Sequence, residues 1–172
     1  ELTQAMGINK PSLYAAFGNK EQLFIKSTHH YIEAHAEPHT RLLDEPGLPL
    51  SERLQNYLRA IVATQSGIAG PTGCYLTLCL SELASDHIPC MAAKAITDAR
   101  DFHERYLTQF FADEVKQGRL SPTTKPNELA LAILTLMNGT ASLTRINKSL
   151  EELTPVLDQA VAALIEHYSR PA

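Results

Sequence analysis

Apolar residues recur along the chain at the period of an α-helix, and proline and glycine cut that pattern into blocks. The clearest block is Leu54, Tyr57, Leu58, Ile61 and Val62, spaced i, i+3, i+4, i+7 and i+8, which predicts an amphipathic helix after the Pro46 to Pro49 loop. A segment from about Cys74 to Ala84 is apolar on nearly every side and belongs at the centre of the fold. A long helix is expected from about Pro89 to Gln117, ended by Gly118, and another from about Asn127 to Arg145. In the last block, about Thr154 to Tyr168, Thr154 is placed to cap the helix and Pro155 to open its first turn. No stretch sustains the apolar–polar alternation of a strand, so the pattern predicts an all-α fold.

Shorter blocks precede these. A first helical piece ends at Gly7, a second spans about Lys10 to Phe17, and a third opens after Asn19, where Asn19 and Gln22 have capping-box spacing. The third is expected to reach about Glu37 and stop at Pro38, burying Phe24, Thr28, Tyr31, Ile32 and His35 along one face. Within residues 2–24, Gly7 suits a left-handed helix end, Ile8 can fill the angle between two short helices, and Asn9 can cap the next. Leu13 and Phe17 then face inward, leaving Lys10, Ser12, Tyr14 and Ala16 open to a partner. Two helices so joined form a helix-turn-helix, whose second helix enters the major groove while lysines and hydroxyls grip phosphates.

Composition agrees with a folded protein: of 172 residues, 44% are hydrophobic and 20% charged. The formal net charge of −4 argues against nucleic-acid binding by the whole chain. Residues 1–28, however, carry Lys10, Lys20 and Lys26 against Glu1 and Glu21, so the balance turns slightly positive where DNA would be met. No run is long enough to span a membrane and the first residues lack the apolar core of a signal peptide, so a cytoplasmic location is expected. Cys74, Cys79 and Cys90 are an odd number without CxxC spacing and read as reduced thiols. No nucleophile elbow, zinc-protease, P-loop or dinucleotide fingerprint occurs, so neither an enzyme nor a cofactor is expected.

The run Leu13-Tyr14-x-x-Phe17-x-x-Lys20-Glu21-x-Leu23, with Leu2, Gly7 and Ile8 before it, resembles the DNA-binding signature of the TetR/AcrR family of regulators. Ala5 lies nearer the Gly-Ile pair than the alanine of that signature. The resemblance implies a helix-turn-helix module over residues 1–28 and a helical regulatory and dimerisation domain over 29–172. It places Lys10, Pro11, Ser12, Tyr14 and Lys20 at the interface with double-stranded operator DNA. It also implies a homodimer that a small-molecule effector releases from half-sites about 34–36 Å apart. The chain opens in what reads as the middle of a helix, so the first helix of such a module is expected before residue 1.

For the effector, Tyr57, Ile61, Tyr75, Cys79, Leu83, Phe102, Tyr106 and Met137 fall on helices expected to surround the domain centre, with His103 as a polar contact. They suggest an apolar or aromatic ligand, the plain alternative being ordinary core. For the dimer, one stripe is Leu129, Ile133, Leu136, Met137 and Thr140, and another is Leu157, Val161, Leu164, Ile165 and Tyr168. These too could bury within one chain. His35 and His39 have spacing that could share a metal, but no third ligand follows in sequence, so no metal is expected. The rival reading is a helical ligand-binding or adaptor protein that does not bind DNA.

Overall fold

The computed structural model describes residues 2–67, 71–83 and 90–169, and none of the described residues lies in a strand. The order is α1 (Leu2–Ala5), α2 (Lys10–Phe17), α3 (Lys20–Tyr31), a π-turn (Ile32–Ala36), α4 (Glu37–Thr40) and a 3-10 turn (Arg41–Asp44). Then come α5 (Leu50–Gln65), α6 (Tyr75–Glu82), α7 (Cys90–Lys116), α8 (Pro126–Arg145) and α9 (Leu150–Ser169). The expected helix limits at Ala84 and Pro89 lie outside the described residues.

The amphipathic stripe of α5 sets the centre of the fold. Leu54, Tyr57, Leu58, Ile61 and Val62 are all buried, and α5 packs against α8 and α9 while α7 packs against α8. Leu107 and Phe111 of α7, Leu129 and Ile133 of α8, and Leu157 and Val161 of α9 close the same core. Each such side chain contributes about 1.5–3 kcal/mol relative to exposure, so this bundle carries most of the stability.

One end of the core is polar. The Arg53 guanidinium donates to the Glu114 carboxylate at 2.8 Å and to the Leu43 carbonyl at 2.6 Å, and lies over the Phe110 ring. Arg119 grips the same carboxylate through two of its nitrogens. Burial alone would raise the Glu114 carboxyl, but the hydrogen bonds from Arg119 and Arg53 outweigh it and hold the group below the usual range. This cluster ties the 3-10 turn to α5 and α7.

Two helix ends differ from the sequence reading. Pro38 does not stop the third helix. In the π-turn the Glu37 N–H reaches back to the Ile32 carbonyl, a wider loop than an α-turn, and the chain continues through Pro38 into α4. Thr154 is not a cap either. Ser149 and Glu152 form a reciprocal box, Glu152 N–H to Ser149 Oγ at 3.3 Å and Ser149 N–H to Glu152 Oε2 at 2.9 Å, which starts α9 at Leu150. Pro155 lies inside that helix, where it and Glu151, whose carbonyl it cannot serve, are both exposed. The Thr154 hydroxyl instead donates back to the Leu150 carbonyl at 2.8 Å.

Candidate functional site

The exposed face of α2 is built by what surrounds it. Gly7, at φ +64°, reverses the chain after α1 in a conformation that costs a residue with a side chain about 1 kcal/mol. Asn9 then caps α2 by accepting from the Ser12 N–H at 2.8 Å. Pro11 occupies the first turn, where its missing N–H is not needed. Leu13 is buried against α3, so Lys10, Pro11, Ser12 and Tyr14 face outward, with Tyr14 half exposed. Gly18, at φ +85°, makes the turn into α3, and a side chain there would collide with Gln22. Gln22 is committed to the capping box with Asn19, which starts α3 beside exposed Lys20. The five residues expected at DNA are all exposed, four of them on α2 and Lys20 at the start of α3, with four side-chain hydrogen-bond donors, Lys10, Ser12, Tyr14 and Lys20, and no carboxylate among them.

From this surface α3 runs into the bundle. Its buried Thr28 hydroxyl lies 2.9 Å from the Tyr75 hydroxyl of α6, and the Tyr31 hydroxyl donates to Cys74 Sγ at 3.5 Å. The Tyr75 ring packs against both Phe24 and Tyr31, with centroids 6.0 and 5.2 Å away. Burial pushes the Tyr75 hydroxyl up to about 12 and raises Tyr31 further, so both remain protonated donors. On the other side, Glu21 accepts from the Met91 N–H of α7 at 3.2 Å.

Beyond Tyr31 two adjoining cavities open. The inner one, about 200 Å³, is lined by Tyr31, His35 and His39 from the α3–α4 stretch, and by side chains of α5 to α8. Its walls are largely apolar: Ile61, Leu76, Leu80, Leu131, Leu134 and Met137. The outer one, about 280 Å³, is lined by Ile32, Glu37, Thr40, Arg41, Phe102 and Tyr106. Leu76, Ala99 and His103 border both. His103 Nε2 lies 2.6 Å from the Tyr57 hydroxyl, and His39 Nε2 lies 3.2 Å from Thr64 Oγ1. Burial lowers His103 to about 4, reinforced by His39, and lowers His39, reinforced by His35, so both imidazoles are neutral near pH 7. A larger groove of about 490 Å³ lies by the 44–48 loop, but its Arg53, Glu114 and Arg119 are already paired with one another.

Of the residues expected to meet an effector, Ile61, His103 and Met137 line the inner cavity and Phe102, His103 and Tyr106 the outer. Tyr57 is fully buried behind His103 and lines neither cavity. Tyr75 belongs to the α3 contact, Cys79 is buried beside it, and Leu83 is half-buried at the end of α6, so these three line neither cavity. The sequence pattern does not assign Tyr31, His35, His39, Thr77, Arg100 and Asn138 to an effector site: Tyr31 and His35 read as the inward face of the third helix, and His39 lies past Pro38, where that helix is expected to stop. Cys74 borders the cavity, Cys79 is buried and Cys90 exposed, all as free thiols. Among the described residues no three His, Cys, Asp or Glu side chains converge to hold a metal ion. None of the described helices is long and apolar enough to cross a membrane.

Burial within the chain takes up part of the expected dimer stripes. Leu129, Ile133, Thr140, Leu157 and Val161 lie in the chain's own core, and Leu136, Leu164, Ile165 and Tyr168 pack half-buried against it. The helix period that makes them a stripe is satisfied by α5 and α7. The exposed apolar residues of α8 and α9 include Leu131, Leu143, Val156 and Ala163, with Ile146 just past the end of α8; Ile146 is 68% and Val156 62% exposed.

No protein-family profile matches the chain. Among curated proteins it is similar to the HTH-type transcriptional repressor ComR of Escherichia coli K12, 28% identical over 156 residues covering 91% of this chain and 73% of ComR. It is also similar to the repressor BdcR of the same organism, 38% identical over 74 residues, 43% of this chain and 37% of BdcR. Among solved structures it is similar to the TetR family regulator CifR in complex with 26-bp operator DNA, with TM-score 0.84 at 29% identity, covering 94% of this chain and 83% of that one. The fold is shared with E. coli NemR in its reduced form, with TM-score 0.76 at 19% identity, covering 98% of this chain and 83% of that one.

Proposed function

The chain belongs to the TetR family of DNA-binding transcriptional regulators, and from that premise we propose that it is a repressor released from its operator by a small molecule bound in the α5–α8 cavity. The observation that carries this reading is the shared use of one helical stretch. Residues 20–31 begin at the exposed Lys20 beside α2 and end at Tyr31, in the wall of the inner cavity. A ligand that displaces Tyr31 or His35 would act on the same rigid rod that aims α2, and its differential affinity for the two positions is the free energy available for release.

In this reading Lys10, Ser12, Tyr14 and Lys20 contact the duplex in the cytoplasm, Pro11 sets the start of the recognition helix, and two copies bind as a homodimer. The dimer contact uses the outward face of α8 and α9, around Leu143, Ile146, Val156 and Ala163, in a four-helix arrangement. Gel-shift assays with the gene's own upstream DNA test the reading. Lys20→Ala and Tyr14→Ala should each weaken binding at least fivefold, and Lys20→Ala should also reduce the salt slope by about 1, without loss of thermal stability. Binding unchanged by both substitutions, or absent from the unsubstituted protein at low salt, would favour the adaptor reading instead.

A further inference from the structure

The polar groups of the inner cavity and their existing bonds define what kind of molecule it accepts, an inference that rests on the effector reading above. Asn138 Oδ1 accepts from the Thr77 hydroxyl at 2.9 Å, which leaves the Asn138 amide N–H₂ as a donor at the wall. The Thr64 hydroxyl donates to the Ala60 carbonyl at 3.1 Å, so at Thr64 Oγ1 it is His39 Nε2–H that donates. The neutral His39 ring then offers Nδ1 as an acceptor. His103 Nε2 is held by Tyr57, which leaves its Nδ1 without a protein partner among the described residues. Gln65, by contrast, is tied to α8 at both ends: one amide N–H donates to the Met137 carbonyl at 3.1 Å and its carbonyl accepts from Thr140 at 2.8 Å.

Charge is handled differently. Arg100 and Glu104 border the cavity from its exposed side, one of each sign, and the Arg100 guanidinium is paired with Asp101 at 2.6 Å. The interior groups are uncharged at neutral pH, since His39 and His103 resist protonation there. A carboxylate or ammonium taken inside would lose its hydration, and among the described residues the only charges at this cavity are the exposed Arg100, already paired with Asp101, and the exposed Glu104, at its rim.

We propose that the effector is an uncharged molecule with a compact apolar or aromatic body and a hydroxyl or carbonyl head, which Asn138 and the free faces of His39 and His103 recognise. Acids and amines on the same body are rejected. The inner volume of about 200 Å³ holds a single substituted ring, and the outer cavity across His103 and Ala99 takes any tail.

The test uses benzyl alcohol, acetophenone, benzoate and benzylammonium against the whole chain, with calorimetric titration and thermal melting as readouts. The two neutral probes should bind at least tenfold more tightly than the two charged ones. Asn138→Ala should weaken the neutral probes about tenfold, and Ala99→Leu, which fills the border of both cavities, should abolish binding while the melting temperature of the unliganded protein shows each variant folded. Benzoate or benzylammonium binding as tightly as the neutral pair, or no binding by any of the four at millimolar concentration, would overturn the assignment. Operator release is read separately by gel shift. Neutral probes that bind without weakening the operator complex would overturn the release mechanism and leave the cavity assignment standing, whereas a charged preference would do the reverse.

Discussion

Thr28 of α3 and Tyr75 of α6 meet hydroxyl to hydroxyl at 2.9 Å, which joins the DNA-facing module to the bundle. The Thr28 hydroxyl also donates to the Phe24 carbonyl at 3.0 Å, so the Tyr75 hydroxyl is the donor in the pair. The bond is enclosed by the rings of Phe24 and Tyr31, where exchange with water is poor. Because α2 packs chiefly on α3, the hold on α3 sets how firmly α2 is aimed.

Tyr75→Phe should therefore loosen the module without unfolding the protein. Thr28 keeps its carbonyl partner and the ring stays packed, so the loss is about 1 kcal/mol, the ordinary net worth of one hydrogen bond. Local opening of α3 should rise about fivefold, seen as faster amide hydrogen exchange across residues 20–31, while the bundle helices exchange as before. Unchanged exchange in α3 would mean that ring packing alone carries the connection.

Acid should weaken the fold through the cavity histidines. His103 has its pKa lowered from 6.5 to about 4 on folding, chiefly by burial. Between those values the unfolded chain binds more protons than the folded one, so stability is complete above about pH 7 and falls as pH drops from about 6.5 toward 4. The contribution of His103 is of the order of 3 kcal/mol, and His39, lowered in the same direction, adds to it. Glu114, held below its usual range, loses its own contribution only at lower pH. Urea midpoints measured from pH 7.5 to 4 should show this slope, and His103→Gln, which keeps a hydrogen-bonding partner for Tyr57, should flatten it. A slope identical in the variant would assign the acid sensitivity to carboxylates.

The geometry of the two short helices was legible in sequence because its determinants are local: Gly7, Asn9, Leu13, Asn19 and Gln22 act within a few residues of one another, and their spacing states the turns and caps. The cavity was half legible. Ile61, His103 and Met137 follow from helix periodicity, and Tyr31 and His35 fall on the inward face of the third helix, but His39 reaches the cavity only because the π-turn carries the chain past Pro38. A proline normally reads as a stop, and the wider hydrogen bond that accommodates it leaves no mark in the residues. The dimer stripes show a different limit. Periodicity says that a helix has an apolar face, not which neighbour covers it, and for Leu129, Ile133, Leu157 and Val161 the neighbours are α5 and α7.

That distinction fixes how self-association should respond to substitution. Ile146 at the end of α8 and Val156 on α9 are 68% and 62% exposed, so an aspartate at either place costs the monomer little. If two copies pair through this face, Ile146→Asp and Val156→Asp would bury a charge against apolar surface, and the double variant should sediment as a monomer where the unsubstituted chain sediments as a dimer. Its melting temperature measured at low concentration should change little, while affinity for a two-half-site operator should fall at least a hundredfold, because one recognition helix then binds without its partner. Leu129→Asp is the contrast: at 0% exposure it places the same charge in the chain's own core and should unfold the protein at any concentration. A double variant that remains dimeric would move the interface off this face, and Leu131 and Phe102, two other exposed apolar residues of the bundle, would be the next positions to change.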